Sequence, residues 1–316
     1  MTAERSGRVD AVLAAAWPDM TRARVQRLIA GGTVTVNGNP VRKSAVVDVG
    51  DEVVAYIPAR GERKAPPEGP PLAVLFEDRA LVAIDKPSGI AAHAGPTTMG
   101  PTVAGWFLAR YPSLSKAFDV ERPGIVHRLD KDTTGVMMLA KTPRAQSSLS
   151  AAFEAKDVAK TYLALCDGVP ELPRGVVDGP IGRHPGDRTR MAIVRRGREA
   201  RTLYEVIASG HGRSFIEARP ETGRTHQIRV HLAAIGASVM GDSVYGKGDE
   251  EQRQLLHAWR LRIAHPSGGD LEITSPLPDD MREAASEWGL EKAIVRYCAP
   301  VSPVRTRDST TPETSE

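Results

Sequence analysis

Residues 124–142 read GIVHRLDKDTTGVMMLAKT, and the two halves of this stretch ask for different surroundings. Residues 136–140 form an unbroken apolar run, the pattern of a strand buried on both faces. Ahead of it, residues 127–135 gather His127, Arg128, Asp130, Lys131, Asp132 and two threonines, which reads as a loop or strand end lining a cleft. A carboxylate in such a place needs a partner, because an isolated buried charge is neutralised. For an aspartate beside Thr and Gly, turn capping is the commoner explanation. A chemical role for Asp130 therefore requires that other polar stretches converge on it.

Two further stretches carry more polar character than packing needs. In AKTYLALCDG, residues 159–168, a strand places Lys160 and Tyr162 on one face and Leu163 and Leu165 on the other. Taken alone, Tyr162 reads as a core aromatic. In ETGRTHQIRVHLAAIG, residues 221–236, eight positions hold Arg224, His226, Gln227, Arg229 and His231. The two histidines lie five apart, which does not fit the helical HExxH metal pair. Cys166 and Cys298 are the only cysteines and lie far apart, so neither a zinc site nor a disulfide framework is expected.

Outward from these stretches the chain divides. Strand-like runs at residues 72–76 and 81–84 open a large domain that continues to residue 296. Residues 59–71, ARGERKAPPEGPP, are proline and charge with almost no core-forming side chains, and read as a linker. Residues 299–316 are rich in Pro, Ser and Thr and read as a disordered tail. Residues 7–58 form a small module. It starts with a helix over 8–17 stopped by Pro18 and continues with a second helix from an N-cap at Thr21 to Gly31. Asn37-Gly38 then suits the positive φ values of a tight hairpin, and strand signals follow over 46–56. In the second helix Val25, Leu28 and Ile29 form the buried stripe while Arg24 and Arg27 share an outward face, which Arg42 and Lys43 extend. On charge alone, a solvated face explains that pattern as well as phosphate binding does.

Composition allows a soluble globular protein: 41% hydrophobic and 26% charged over 316 residues, with a formal charge of only +3. No signal sequence or long apolar run appears, which points to a cytoplasmic protein with no membrane partner.

Two resemblances give these stretches a meaning. TRARVQRLIAGGTVTVNG, residues 21–38, resembles the S4 RNA-binding domain, a small αL-type fold that docks on structured RNA through phosphates and shape. HRLDKDTTG at 127–135, KTYLAL at 160–165 and TGRTHQIRVHL at 222–232 resemble, in family order, the aspartate, tyrosine and arginine motifs of RluA-type pseudouridine synthases. DKPSGIAAHAG at 85–95 resembles the family's opening motif, with Ala94 where a proline is expected; GREART at 197–202 and LLHAWRL at 255–261 resemble later strands. The S4-then-linker layout is that of the RluC and RluD branches. The fold implied is α+β: a mixed, largely antiparallel bent sheet with flanking helices and a central cleft, plus the S4 domain.

The resemblance implies cofactor-free isomerisation of uridine to pseudouridine in RNA, most simply in large-subunit ribosomal RNA, by a monomer. Transfer RNA as substrate, and a noncatalytic S4-type RNA-binding protein, are the alternatives. It implies Asp130, Tyr162 and Arg224 as the catalytic set, with Arg224 paired to Asp130 and favouring its ionised form. Arg24, Arg27, Arg42, Lys43, Arg128, Lys160 and Arg229 are then expected to hold RNA, and His127 and Gln227 to orient the site. Whether Asp130 acts on the sugar or on the uracil ring is left open.

Overall fold

A computed structural model of the chain describes residues 1–17, 22–42, 44–56, 69–94, 100–118, 122–187, 189–248, 253–298 and 304–306. The chain separates into two units, residues 1–64 and 65–316.

In the first unit, β1 (Gly7–Arg8) leads into α1 (Val9–Ala16) and α2 (Arg22–Ala30), followed by β2 (Val34–Val36), β3 (Asn39–Pro40), β4 (Val46–Val47) and β5 (Val53–Ala55). Asn37 and Gly38 turn β2 into β3 with φ of 49° and 79°, so Val36 faces Asn39 as a two-residue hairpin requires. Val25 and Ile29 of α2 are buried with Val9, Val12 and Leu13 of α1 and Val34, Val47 and Val53 of the strands. Leu28 packs on this core from a half-buried position. Arg42 is exposed. Lys43 lies outside the described residues, as do the side chains of Arg24 and Arg27.

The second unit runs β6 (Ala73–Glu77), β7 (Leu81–Lys86), α3 (Val103–Arg110), β8 (Thr134–Ala140), α4 (Pro143–Ala155), β9 (Ala159–Asp167), β10 (Arg174–Asp178), β11 (Ile181–Arg183), β12 (Met191–Ile193), β13 (Arg201–Gly210), β14 (Arg213–Pro220), α5 (Gln227–Ala234), β15 (Ser238–Val239), β16 (Leu256–Ala264), β17 (Asp270–Thr274), α6 (Asp279–Glu287), α7 (Glu291–Tyr297) and β18 (Val304–Thr306). One large sheet carries it, in the order β10-β13-β14-β9-β16-β8-β7-β6. Its pairs are antiparallel except β16 with β8. The apolar run at 136–140 is buried throughout as part of β8. β18 pairs with β17, so three residues of the segment expected to be a tail are ordered by sheet hydrogen bonds. The rest of that segment, and most of the expected linker, lie outside the described residues.

The sheet branches at β16. Along one side β16 pairs with β9; on the other it meets β8 only at His257 and Ala258 and then takes β17 from Arg260 onward. A register shift between Ala258 and Arg260 marks the fork. Gly135 makes the close crossing possible: its φ is +109°, and a Cβ there would lie 2.3 Å from the Ala258 carbonyl oxygen. Tyr162 of β9 is the register partner of Ala258, so this fork brings the loop before β8 up to the tyrosine strand. Among the described residues no helix is long and apolar enough to cross a membrane.

Candidate active site

The loop over residues 127–133 is tied at several points before it enters β8. Lys86, fully buried at the end of β7, donates to the carbonyls of Pro87, Ile90 and Lys131 at 2.7, 2.9 and 2.8 Å. The Thr133 amide donates to the Asp130 carbonyl at 3.2 Å. Gln254 Nε2 donates to Thr133 Oγ1 at 2.8 Å, and Thr134 Oγ1 lies 2.9 Å from His257 Nδ1. His127 accepts from the Met138 amide through Nε2 at 2.9 Å and stacks on Phe153 with ring centres 4.5 Å apart. Burial, and after it the charge of Lys160, pushes the His127 imidazole down to about 3, so it is a neutral anchor.

These ties present the Asp130 side chain, 20% exposed, where two cavities meet. The first, about 490 Å³, is lined by His127, Asp130, Lys160, Tyr162, Arg198, Thr222, Arg224, His226 and Arg229, among others. The second, about 470 Å³, continues past Asp130 along Lys131, Asp132, Ser243 and Gln254. Arg128 is exposed and borders both. Tyr162, half-buried, lines the first; burial, then the negative Asp130, holds its phenol above the ordinary range.

The cation paired with Asp130 is Arg229, not Arg224. Arg229 Nη1 donates to Asp130 Oδ2 at 3.3 Å, while Nε and Nη2 fork onto the carboxylate of Asp242 at 2.7 and 2.8 Å. Asp242 is buried and also accepts from the amides of Val244 and Tyr245. Burial opposes its charge, but these donors outweigh that and hold its carboxyl below the ordinary range. Arg229 is 5% exposed and its Nε, Nη1 and Nη2 each donate to a carboxylate, so the structure shows it holding Asp130 and Asp242 where the sequence reading assigned it to RNA. Arg224 instead leaves the turn before α5 toward the cavity mouth, where its Nε donates to the Glu199 carbonyl at 2.8 Å.

Gln227 explains why α5 starts where it does. Its Oε1 accepts from Thr222 Oγ1 and the Arg224 amide at 2.7 and 3.0 Å, and its Nε2 donates to the Arg201 carbonyl and Thr202 Oγ1, both at 3.0 Å. His231, buried between Thr202 Oγ1 and the Gly179 carbonyl, serves packing. His226 precedes the helix with φ of 55°, a left-handed conformation that costs a non-glycine residue about 1 kcal/mol or more. Its Nδ1 is 2.9 Å from the Tyr245 hydroxyl and its Nε2 is 3.9 Å from Asp130 Oδ2. Burial holds this imidazole below its ordinary range despite the neighbouring carboxylate.

Sequence reasoning missed Asp242, Tyr245, Lys86 and Gln254. The segment GDSVYG at 241–246 carries the first two, and a buried arginine's need for a counter-charge was the available signal.

The RNA pseudouridylate synthase family matches residues 80–234, and the S4 domain matches residues 7–53. The chain is 42% identical over 286 residues to ribosomal large subunit pseudouridine synthase D of Nitrosomonas europaea, spanning 87% of this chain and 82% of that one. The chain belongs to the RNA pseudouridine synthase family. A second relative, the enzyme of the same description from Escherichia coli, is 40% identical over 294 residues, 87% of this chain and 89% of the other. Among solved structures, human RNA pseudouridylate synthase domain containing 4 superposes with a TM-score of 0.55 at 28% identity, covering 68% of this chain and 92% of that one.

Proposed function

We propose that this protein isomerises specific uridines of large-subunit ribosomal RNA to pseudouridine, with Asp130 as the carboxylate that acts on the everted nucleotide. One observation carries the reading: the Asp130 carboxylate stands at the junction of two cavities, held by a buried guanidinium that is itself fixed by Asp242. The large-subunit substrate follows from the relatives described above and from the S4 module.

A uridine in folded RNA has to leave its stack to reach such a carboxylate, at a cost of a few kcal/mol that phosphate contacts offset. Arg229 holds Asp130 Oδ2 at 3.3 Å and so fixes the orientation of the carboxylate, which sets it for C1′ or for the uracil ring. Tyr162 offers a flat face on which the base stacks, worth about 1–3 kcal/mol. Its raised phenol suits a neutral platform better than a base. Arg128, between the cavities, is placed to meet the RNA strand that the flipped nucleotide leaves. The protein is taken to work as a monomer in the cytoplasm.

The purified protein is expected to release tritium from 5-tritiated uridine in unmodified ribosomal RNA without changing the RNA mass. Asp130→Asn should abolish release while leaving RNA binding nearly intact. Carbodiimide mapping of pseudouridines in cells with and without the gene gives the positions; sites confined to transfer RNA would replace ribosomal RNA as the substrate. Wild-type protein inactive on every RNA tested would return the chain to an RNA-binding role alone.

A further inference from the structure

The mouth of the catalytic cavity is built from like charges. Lys160 of β9, Arg224 from the turn before α5, Arg198 from the loop before β13 and Lys156 at the end of α4 all line it. Two carboxylates stand near: Glu199, bonded to Lys156 at 3.0 Å, and the exposed Glu154. Neither forms an ion pair with Lys160, Arg198 or Arg224 among the described residues. Among the described residues Lys160 Nζ has a single acceptor, the Thr222 carbonyl at 3.4 Å, a long bond for a half-buried ammonium with three protons to place. Among the described residues Arg224 donates to the protein through its Nε alone, and its side chain lines the cavity.

Such an arrangement is unfavourable in the empty protein. Burial and the charge of Arg224 push the Lys160 ammonium down to about 8. Burial and Arg198 likewise lower Arg224. Groups that strain one another and share an open cavity are what an anion site looks like before its anion arrives. The donors are of two kinds: a compact ammonium on the inner side and planar guanidinium forks on the outer side, the combination that suits the non-bridging oxygens of one phosphodiester.

We propose that Lys160, Arg224 and Arg198 form a cradle for one backbone phosphate flanking the everted uridine, so that the strand is gripped at the cavity mouth while Asp130 acts inside. The cradle rests on the pseudouridine synthase reading. It also gives Arg224 a role in place of the carboxylate pairing that Arg229 occupies.

The test uses the full chain and an RNA oligonucleotide containing a mapped target uridine. Lys160→Gln should raise KM by about tenfold, with a smaller change in kcat. The slope of log affinity against log salt should become shallower by about 0.7, one phosphate on a single strand. A neutral methylphosphonate at one of the two linkages flanking the target should weaken wild-type binding more than it weakens binding by the Lys160→Gln protein, which keeps only the two arginines. Arg198→Gln, an exposed change with no folding consequence expected, should move the same parameters in the same direction.

Lys160 faces His127 and Arg224 and shares the cavity with Tyr162, Glu154 and Lys156. Wild-type affinity should fall as pH rises above about 8, because the free protein loses the Lys160 proton that phosphate requires. Lys160→Arg keeps the charge and should flatten that fall. Unchanged salt slopes, or equal methylphosphonate sensitivity in wild type and variant, would overturn the cradle while tritium release by the wild type leaves the enzymatic reading standing.

Discussion

Arg229 joins two carboxylates, forking onto buried Asp242 and reaching Asp130 with its remaining nitrogen. Removing one member of a buried charged set leaves the others without compensation, which costs about 3–5 kcal/mol. Arg229→Met is therefore expected to lower the urea midpoint sharply and to abolish tritium release. Arg229→Lys keeps the charge, cannot fork, and should recover part of the stability and little of the activity. Arg224→Gln, at the cavity mouth, should leave stability within about 0.5 kcal/mol of wild type. Denaturation curves for the three variants check the assignment, and a reversed order of stabilities would restore Arg224 as the buried partner. The resemblance implied Arg224 as the partner of Asp130 and gave Arg229 to RNA, whereas the structure pairs Arg229 with Asp130. The choice depends on where α5 begins, and its start lacks a side-chain cap: His226 occupies that position in a left-handed conformation, with Gln227 supplying the bonds. The cleft-lining position of Asp130 was legible in the polar knot directly before a fully apolar strand, but on the residues alone turn capping is the commoner reading, and its chemical role came only with the resemblance.

At the scale of elements, the site is a loop fastened to a forked sheet. β8 was readable from its apolar run, and the β2–β3 hairpin from Asn37-Gly38, since both patterns are local. The fork at β16 was not, because it depends on residues more than a hundred positions apart, such as Thr134 with His257. Lys86 is the tie whose removal is most informative. Its ammonium satisfies three carbonyls, one of them that of Lys131, next to Asp130. Lys86→Met fills similar volume but leaves those acceptors without a donor, each costing about 1–3 kcal/mol if water cannot reach it. The expected result is a lower melting temperature together with a fall in kcat larger than any change in KM, since the RNA-facing cations are untouched. A variant that melts early yet shows full kcat at low temperature would mean that Lys86 supports the fold without placing Asp130. Gly135→Ala probes the same fastening from the other side, because a Cβ there overlaps the Ala258 backbone. It should fold poorly at any temperature.

Across the whole molecule, two responses to solution conditions follow from charge. His127, half-buried, and His257, buried, are held near 3 and 4, well below the ordinary imidazole value, chiefly by desolvation. The folded state disfavours their protonation, so below about pH 6.5 the unfolded chain binds more protons and stability falls as pH drops toward 4. One such proton gives a slope of about 1.4 kcal/mol per pH unit, and two give up to twice that. Urea midpoints between pH 7 and pH 4.5 should follow this slope, and His257→Asn should reduce it; a flat profile would contradict the buried neutral state. The second response belongs to the division into two units. The first unit has its own core of aliphatic side chains from both helices and the strands, and Arg42 stands exposed on it. The two cavities at Asp130, their tethers and the proposed phosphate cradle all lie within residues 65–316. Deleting residues 1–60 should therefore leave tritium release intact on a short RNA fragment, while binding to intact ribosomal RNA weakens and becomes less sensitive to salt. Every duplex phosphate that the truncated chain no longer neutralises takes about 0.9 off the salt slope, so the difference in slope between the full and truncated chains measures how many phosphates the S4 module holds. Identical slopes would assign RNA docking to the catalytic unit alone, and the basic face of α2 would then be the solvated surface that its charge pattern equally allows.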